Sequence, residues 1–185
     1  ERYNLITNVD QWVVTALFNW LSTNEHKDNI LCSVNLSGNT IGSEPFIQFL
    51  EESFIKYDVD PRSICFEITE TAAVSSLSTA STFITTLRDK GCMFALDDFG
   101  TGLSSYGYLK DLPVDFLKID GIFVKGIVDD PIDYAMVKSI NEIGHVMGKK
   151  TIAEFVEDDR ILRKLHEIGV DYAQGYGVGK PRAMD

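Results

Sequence analysis

The sequence predicts an α/β fold in which short parallel strands alternate with helices and close as a (β/α) barrel. Three observations carry that expectation. Short apolar runs recur between stretches of helical period, the pattern of strands buried on both faces beneath helices. Six runs end in a polar residue: Asn35, Glu67, Asp97, Asp120, Glu154 and Gln174. In an open sheet the strand ends spread along a line, whereas a barrel converges them on one mouth. No low-complexity segment or linker interrupts the alternation, so one domain is expected over residues 1–185. A barrel of this kind has eight strands in typically about 250 residues. Six strand patterns in 185 residues place the first strands before residue 1, outside this chain.

The elements follow in order. Thr7 or Asn8 is placed to cap a helix whose apolar face reads Val9, Trp12, Val13, Ala16, Leu17, Trp20 and Leu21. Trp12 and Trp20 read as core or docking residues of that helix. Ile30 to Leu36 is a first strand, and Ser43-Glu44-Pro45 opens a helix continued by Phe46, Phe49, Leu50 and Phe54. Ile64-Cys65-Phe66 is a second strand, ending in Glu67-Ile68-Thr69-Glu70. A helical stretch then runs to Leu87 and stops near Gly91. Met93 to Leu96 is the third strand, ending in Asp97-Asp98-Phe99-Gly100, and a Gly/Ser loop and a short helix follow. Phe116 to Ile119 is the fourth strand, Pro131 to Met147 a helix, and Thr151 to Ala153 the fifth strand. Asp158 or Asp159 caps a helix over Ile161 to Ile168, stopped by Gly169. Tyr172-Ala173-Gln174 is the sixth strand, and Tyr176 to Val178 extends or follows it.

Composition narrows the function classes. The chain is 44% hydrophobic and 24% charged, with a formal net charge of -11. An acidic surface argues against a nucleic-acid polymer as partner. It leaves room for a small phosphate ligand, because bound divalent cations reverse the local sign. Cys32, Cys65 and Cys92 form no CxxC pair and each lies in an apolar run, so they read as buried, reduced thiols. No run approaches the roughly 20 apolar residues of a membrane span. The expectation is a cytoplasmic segment with no membrane contact of its own.

The strand ends carry the candidate chemistry. Glu67, Asp97, Asp98, Asp120 and Glu154 are five carboxylates that would repel if gathered without a counter-ion. Mg²⁺ or Mn²⁺ suits them and the Asn35 amide, since hard cations prefer oxygen donors. Zinc suits them less, because His26, His145 and His166 all lie away from strand ends. Adjacent carboxylates such as Asp97-Asp98 can bridge or flank two ions, an arrangement suited to in-line displacement at phosphorus. Lys118 leaves its strand on the same side as Asp120 and can orient a water or meet phosphoryl charge. Any one of these residues alone is commonly a cap, a turn residue or a solvated charge. Asp58, Asp60 and Glu157-Asp158-Asp159 read as exposed acidic loops. The recurrence of polar residues at one place in successive repeats favours a site.

The chain resembles the EAL-domain family of cyclic-di-GMP phosphodiesterases. The resemblance rests on Val34-Asn35-Leu36-Ser37, Glu67-Ile68-Thr69-Glu70, Asp97-Asp98-Phe99-Gly100-Thr101-Gly102, Leu117-Lys118-Ile119-Asp120, Ala153-Glu154-Phe155-Val156-Glu157 and Gln174-Gly175-Tyr176. It implies a TIM-like barrel that hydrolyses cyclic di-GMP to linear pGpG with Mg²⁺ or Mn²⁺. Asn35, Glu67 and Asp97 are implied ligands of one metal, with Asp97 bridging to a second ion that Asp98 helps to bind. Asp120 and Glu154 are implied supports of the pair, Lys118 the group that positions the attacking water, and Gln174 a polar contact. Glu70 is implied to anchor the loop after Asp98, a loop also associated with homodimer contacts. GGDEF or sensory domains are implied neighbours in a longer parent, which such domains sometimes anchor to a membrane.

Two departures stand out. Phe155 occupies a position that is often glycine in the family, and the namesake Glu-Ala-Leu segment is absent from these residues. Its glutamate is an implied metal ligand, so these 185 residues alone are expected to turn over less than a longer parent. Two other function classes compete. One is a cyclic-di-GMP receptor without catalysis, which would be expected to lose carboxylates or the loop sequence. The other is an enolase-type Mg-dependent barrel enzyme, which the six ordered motifs fit poorly.

Overall fold

A computed structural model of the chain describes residues 2–23, 30–101 and 106–183. Its elements are helix α1 (Arg2–Thr23), strand β1 (Cys32–Asn35), α2 (Glu44–Tyr57), β2 (Ile64–Thr69), α3 (Glu70–Ser75), α4 (Leu77–Arg88), β3 (Met93–Phe99), β4 (Phe116–Ile119), α5 (Gly121–Val124), α6 (Pro131–Val146), β5 (Lys150–Ala153), α7 (Asp159–Ile168) and β6 (Tyr172–Ala173). Single turns of 3₁₀ helix precede β2 and follow the loop after β3, the latter over Tyr106–Lys110. The strands keep their sequence order in the sheet, β1-β2-β3-β4-β5-β6. The pairs β1–β2, β3–β4, β4–β5 and β5–β6 are parallel. Two compact units make up the chain.

The first unit comprises residues 1–94 and 106–113. Its β2 is buried on both faces through Ile68, as a run of apolar residues beneath helices requires. Phe18 of α1 stacks on Phe54 of α2, their ring centroids 4.9 Å apart. Phe66, Phe83 and Phe94 form a second aromatic cluster. Each fully buried ring of this kind contributes about 2–3 kcal/mol relative to exposure. Ser43 caps α2 by accepting from the Phe46 N–H, with Pro45 in the first turn, so the start signal acts as the sequence predicts.

The second unit comprises residues 95–105 and 114–185. Here β4 is buried along its whole length. Val137 and Ile140 of α6 are fully buried. Asp130 caps α6 through the Ile132 N–H, and Asp158 caps α7 through the N–H groups of Arg160 and Ile161. Gly169 ends α7 at φ 86°, a conformation that costs a residue with a Cβ about 1 kcal/mol or more.

Several sequence expectations need correction. Helix α1 begins at Arg2 rather than at Thr7 or Asn8, since nothing from Arg2 to Ile6 breaks a helix. Its buried face is Asp10, Val14, Leu17, Phe18 and Leu21, whereas Trp12 is 70% exposed and Val9 50% exposed. Trp12 is therefore not a core residue, and Trp20 is only half-buried. A buried aspartate belongs to the true stripe and hides its period. Strand β1 starts at Cys32, leaving Ile30 and Leu31 outside it. The helical stretch before Gly91 is two helices that meet at Ser76. Tyr176 to Val178 forms a turn after β6 rather than extending it. All three cysteines are free thiols, but Cys32 is only half-buried. His26 and the loop residues 102–105 lie outside the described residues.

Candidate active site

In the second unit the decisive departure from the sequence reading is the length of β3. It continues through Asp97 and Asp98 to Phe99 instead of stopping at Leu96. Its register with β4 shifts between Leu96 and Phe99, and Asp98 takes φ 55°. The acidic pair thus forms a β-bulge, a device that re-aims side chains at the end of a strand. Aspartate is among the few residues that tolerate the left-handed conformation. Gly100 follows at φ 101°, where a Cβ would press on Ile140 and Phe123.

The bulge meets the ends of β4 and β5. Lys118 is 3% exposed, and its Nζ lies 2.9 Å from Asp97 Oδ1 and 2.8 Å from Glu154 Oε1. Carboxylate oxygens of Asp97, Asp98 and Glu154 lie within 4.8 Å of one another. Burial pushes the Asp98 carboxyl above its ordinary range, and the charges of Asp97 and Asp120 add to the rise, with Lys118 opposing it. Charge in this pocket is therefore under-compensated by the lysine. Three convergent carboxylates fit a hard divalent cation, which takes oxygen donors and lowers the cost of gathering them. Asp120 is also the cap of α5, its Oδ1 accepting from the Ile122 N–H at 2.7 Å. The structural use of that residue is real, while its charge still bears on Asp98.

Gln174 is fixed by its backbone rather than by its amide. Its N–H donates to the Ala153 carbonyl at 2.8 Å, and its carbonyl accepts from the Val156 N–H at 3.0 Å. This ties the segment after β6 to the segment after β5. Between them lies a cavity of about 340 Å³ lined by Glu154, Phe155, Glu157, Gln174, Tyr176 and Lys125.

The remaining predicted residues belong to the first unit. Asn35, at the end of β1, is paired in register with Glu67, two residues before the end of β2. Glu67 is buried and Asn35 exposed. The Leu36 N–H donates to the Glu67 carbonyl at 2.8 Å. Glu70, 5% exposed, accepts a 2.6 Å hydrogen bond from the Tyr108 hydroxyl. Burial raises the Tyr108 phenol far above its usual range, and the bond to Glu70 adds to that, so it donates at every physiological pH.

Three contributors escape the sequence reading. Asp10 Oδ2 accepts from the Ser37 N–H at 3.1 Å, the Ser37 hydroxyl at 2.7 Å and the Thr40 hydroxyl at 2.5 Å. It braces the loop that leaves Asn35. Its only sequence signal is a polar residue interrupting an apolar helix. Tyr108 meets a partner 38 residues away, and Lys125 stands over the Phe155 ring. No local pattern marks either.

The EAL domain family matches residues 1–181, and the chain belongs to that family. It is 44% identical over its whole length to cyclic di-GMP phosphodiesterase PdeB of Shewanella oneidensis and spans 22% of that protein. It is 38% identical to cyclic di-GMP phosphodiesterase PdeA of Borreliella burgdorferi, again over its whole length, and spans 28% of it. Among solved structures, the PaMucR phosphodiesterase in complex with c-di-GMP superposes with a TM-score of 0.90 at 29% identity, over 98% of this chain and 74% of that one. The EAL domain of FimX from Pseudomonas aeruginosa, bound to c-di-GMP, gives the same TM-score, identity and coverage. The fold class is accordingly α/β of the TIM-like (β/α) barrel type, as the strand-end pattern predicts. No described helix is long and apolar enough to cross a membrane.

Proposed function

We propose that this chain carries a metal-dependent phosphodiesterase site that hydrolyses cyclic di-GMP to linear pGpG. The observation that carries the reading is the buried Lys118, held between Asp97 and Glu154 with Asp98 adjoining. Two relatives named as cyclic di-GMP phosphodiesterases, each matched over the whole chain, support the substrate.

In this reading Asp97, Asp98 and Glu154 hold Mg²⁺ or Mn²⁺, and Asp120 supports them through its charge. When bound, such ions neutralise the carboxylates and stabilise charge on the attacking and leaving oxygens of an in-line displacement. Lys118 is held by its two ion pairs, so its ammonium is fixed in place rather than free to rotate. It orients the attacking water and meets negative charge on phosphoryl oxygens. Glu154 accepts from Lys118 and keeps it in place. Gln174 supplies a polar contact beside Glu154. Asn35 and Glu67 enter as further oxygen donors on the strength of the family resemblance alone. Glu70, through Tyr108, anchors the chain just after the loop that leaves Asp98. That loop as a homodimer contact, and GGDEF or sensory domains elsewhere in the parent, are proposals of the same origin.

The test is incubation of the intact protein with cyclic di-GMP and Mg²⁺ or Mn²⁺. Appearance of pGpG, abolished in Lys118→Ala and Glu67→Ala, is the expected result. Tight binding with no product in any divalent metal would overturn it in favour of a receptor. That second reading has support from the FimX EAL domain, a structural neighbour described as bound to c-di-GMP.

A further inference from the structure

Strand β6 is the shortest in the sheet, and Gln174 follows it directly. It pairs with β5 through two residues only, Ile152 with Tyr172 and Ala153 with Ala173. Slipping a strand by one residue turns its side chains to the opposite face, and two pairs resist that weakly. Side chains make the rung that precedes them. The Thr151 N–H donates to Asp171 Oδ2 at 2.8 Å, and the Asp171 N–H donates back to Thr151 Oγ1 at 3.4 Å. The Thr151 hydroxyl donates to Asn141 Oδ1 of α6 at 2.5 Å and lies 3.2 Å from Asp171 Oδ2. Asn141 Nδ2 donates to the Ile168 carbonyl of α7 at 3.3 Å, and His145 Nε2 lies 2.7 Å from Asp171 Oδ2. Thr151 is fully buried and Asn141 nearly so. The Thr151 methyl packs on Gly144, where a Cβ would lie 3.0 Å from it. A buried apolar side chain of the same shape would fill this space without desolvating polar groups. What the hydroxyl and the carboxylate add is direction, since they bond only when residue 171 lies level with residue 151.

We infer that Asp171, acting through Thr151, is a positioning residue of the candidate site, because it sets the level of β6 on β5. The inference rests on the phosphodiesterase reading and deepens it. Glu154 is three residues beyond Thr151, about 10 Å along the strand, and it holds Lys118 Nζ at 2.8 Å. Gln174 is the same three residues beyond Asp171, so the two residues leave their strands at one level. Between them run the bonds from the Gln174 N–H to the Ala153 carbonyl and from the Val156 N–H to the Gln174 carbonyl. With the lock at residues 151 and 171 removed, the level of Gln174 beside Glu154 rests on the short ladder and the bonds around Val156. A misplacement of about 1 Å, introduced far from the reacting atoms, can cost roughly 100-fold in rate. Asp171 touches neither substrate nor metal in this reading and acts only through the register.

The test compares Asp171→Ala, Asp171→Asn and Thr151→Val with the wild type in the intact protein. It measures steady-state hydrolysis of cyclic di-GMP, thermal midpoint, and amide exchange at Gln174 relative to the amides of β4. Asp171→Ala is expected to lower kcat per folded molecule roughly tenfold, with KM within about twofold of the wild type and faster exchange at Gln174. Thr151→Val is expected to lower kcat by at least about threefold, again with faster exchange. Asp171→Asn keeps an acceptor for the Thr151 N–H and is expected to stay within about twofold of the wild-type kcat. A midpoint lowered in Asp171→Ala, with kcat per folded molecule and Gln174 exchange unchanged, shows a role in stability alone and overturns the inference. An Asp171→Asn variant as slow as Asp171→Ala also overturns it, because the charge rather than the acceptor would then matter. If Asp171→Ala does not fold, Thr151→Val decides by the same two readouts. A wild type that yields no pGpG removes the phosphodiesterase reading. Faster Gln174 exchange in the variants then still supports the register lock, and unchanged exchange overturns it too.

Discussion

Lys118 Nζ and Asp97 Oδ1 lie 2.9 Å apart, with 3% of the lysine side chain exposed. A buried ion pair of this kind is held by its neighbours as much as by its own attraction, because desolvating both charges is costly. Glu154 on the other side of Lys118 supplies the second carboxylate. Lys118→Ala leaves these carboxylates without their cation. It is expected to lower kcat by at least about 100-fold and to destabilise the protein by roughly 3 kcal/mol in metal-free buffer. Lys118→Arg is not expected to rescue, since a planar guanidinium does not fit the place of a point charge. Steady-state kinetics and urea unfolding of both variants check this.

Removing divalent metal is expected to lower the thermal midpoint as well as to abolish turnover. A ligand that binds only the folded state stabilises it by mass action, about 2.7 kcal/mol at a hundredfold excess over Kd. The effect should weaken toward acid pH, because the Asp98 carboxyl titrates above its ordinary range and a protonated carboxyl is a poor ligand. Melting curves with Mg²⁺ or Mn²⁺ against EDTA, at several pH values, measure it. A midpoint indifferent to metal would count against Asp97, Asp98 and Glu154 as ligands.

Asp10 gathers three donors from the loop after β1 on one oxygen. Asp10→Ala is expected to cost about 2–4 kcal/mol, the loss of several hydrogen bonds to a buried charge. Asp10→Asn, which keeps an acceptor oxygen, should lose less. Where Asn35 serves as the proposed further oxygen donor, metal affinity should fall along with stability, because the braced loop begins beside it. Denaturant midpoints and metal titrations on the two variants separate these effects.

The Tyr108 hydroxyl donates to Glu70 at 2.6 Å. Tyr108→Phe keeps the ring and removes only that bond, at an expected cost of about 1–2 kcal/mol. If the pair anchors the segment after the loop that leaves Asp98, turnover should drop by more than the population of folded protein does. Limited proteolysis around Tyr106–Lys110, together with kcat, tests whether anchoring and activity move together.

At the far end of the second unit, burial pushes the Asp171 carboxyl up, but the Thr151 N–H, His145 and the Thr151 hydroxyl outweigh it and hold it below its usual range. A carboxyl depressed in the folded state contributes stability above its unfolded pKa and loses it as pH falls through the folded value. The protein should therefore lose stability below about pH 4, and Asp171→Asn should flatten that part of the profile. At neutral pH the substitution should cost about 1 kcal/mol, because the site is partly solvated. Unfolding measured from pH 3 to pH 7 checks the sign.

The sequence by itself determined the strand and helix alternation, the family, and most of the polar strand ends. Those features are local: the length of an apolar run, a cap residue and the punctuation of Gly169 all act within a few residues. Tertiary structure decided what a local pattern does not contain. The Asp97-Asp98 pair reads as two residues beyond a strand, yet the register of β3 against β4 makes it a bulge inside one. Helix α1 reads as a stripe through Trp12, yet the bonds from Ser37 and Thr40 to Asp10 accompany burial of the neighbouring face. Phe155 reads as a plain departure from glycine, and only the fold sets it at positive φ on Gly121 beside Lys125. In each case the deciding partner is distant in sequence or the deciding quantity is a backbone angle, and neither is written in hydrophobic period.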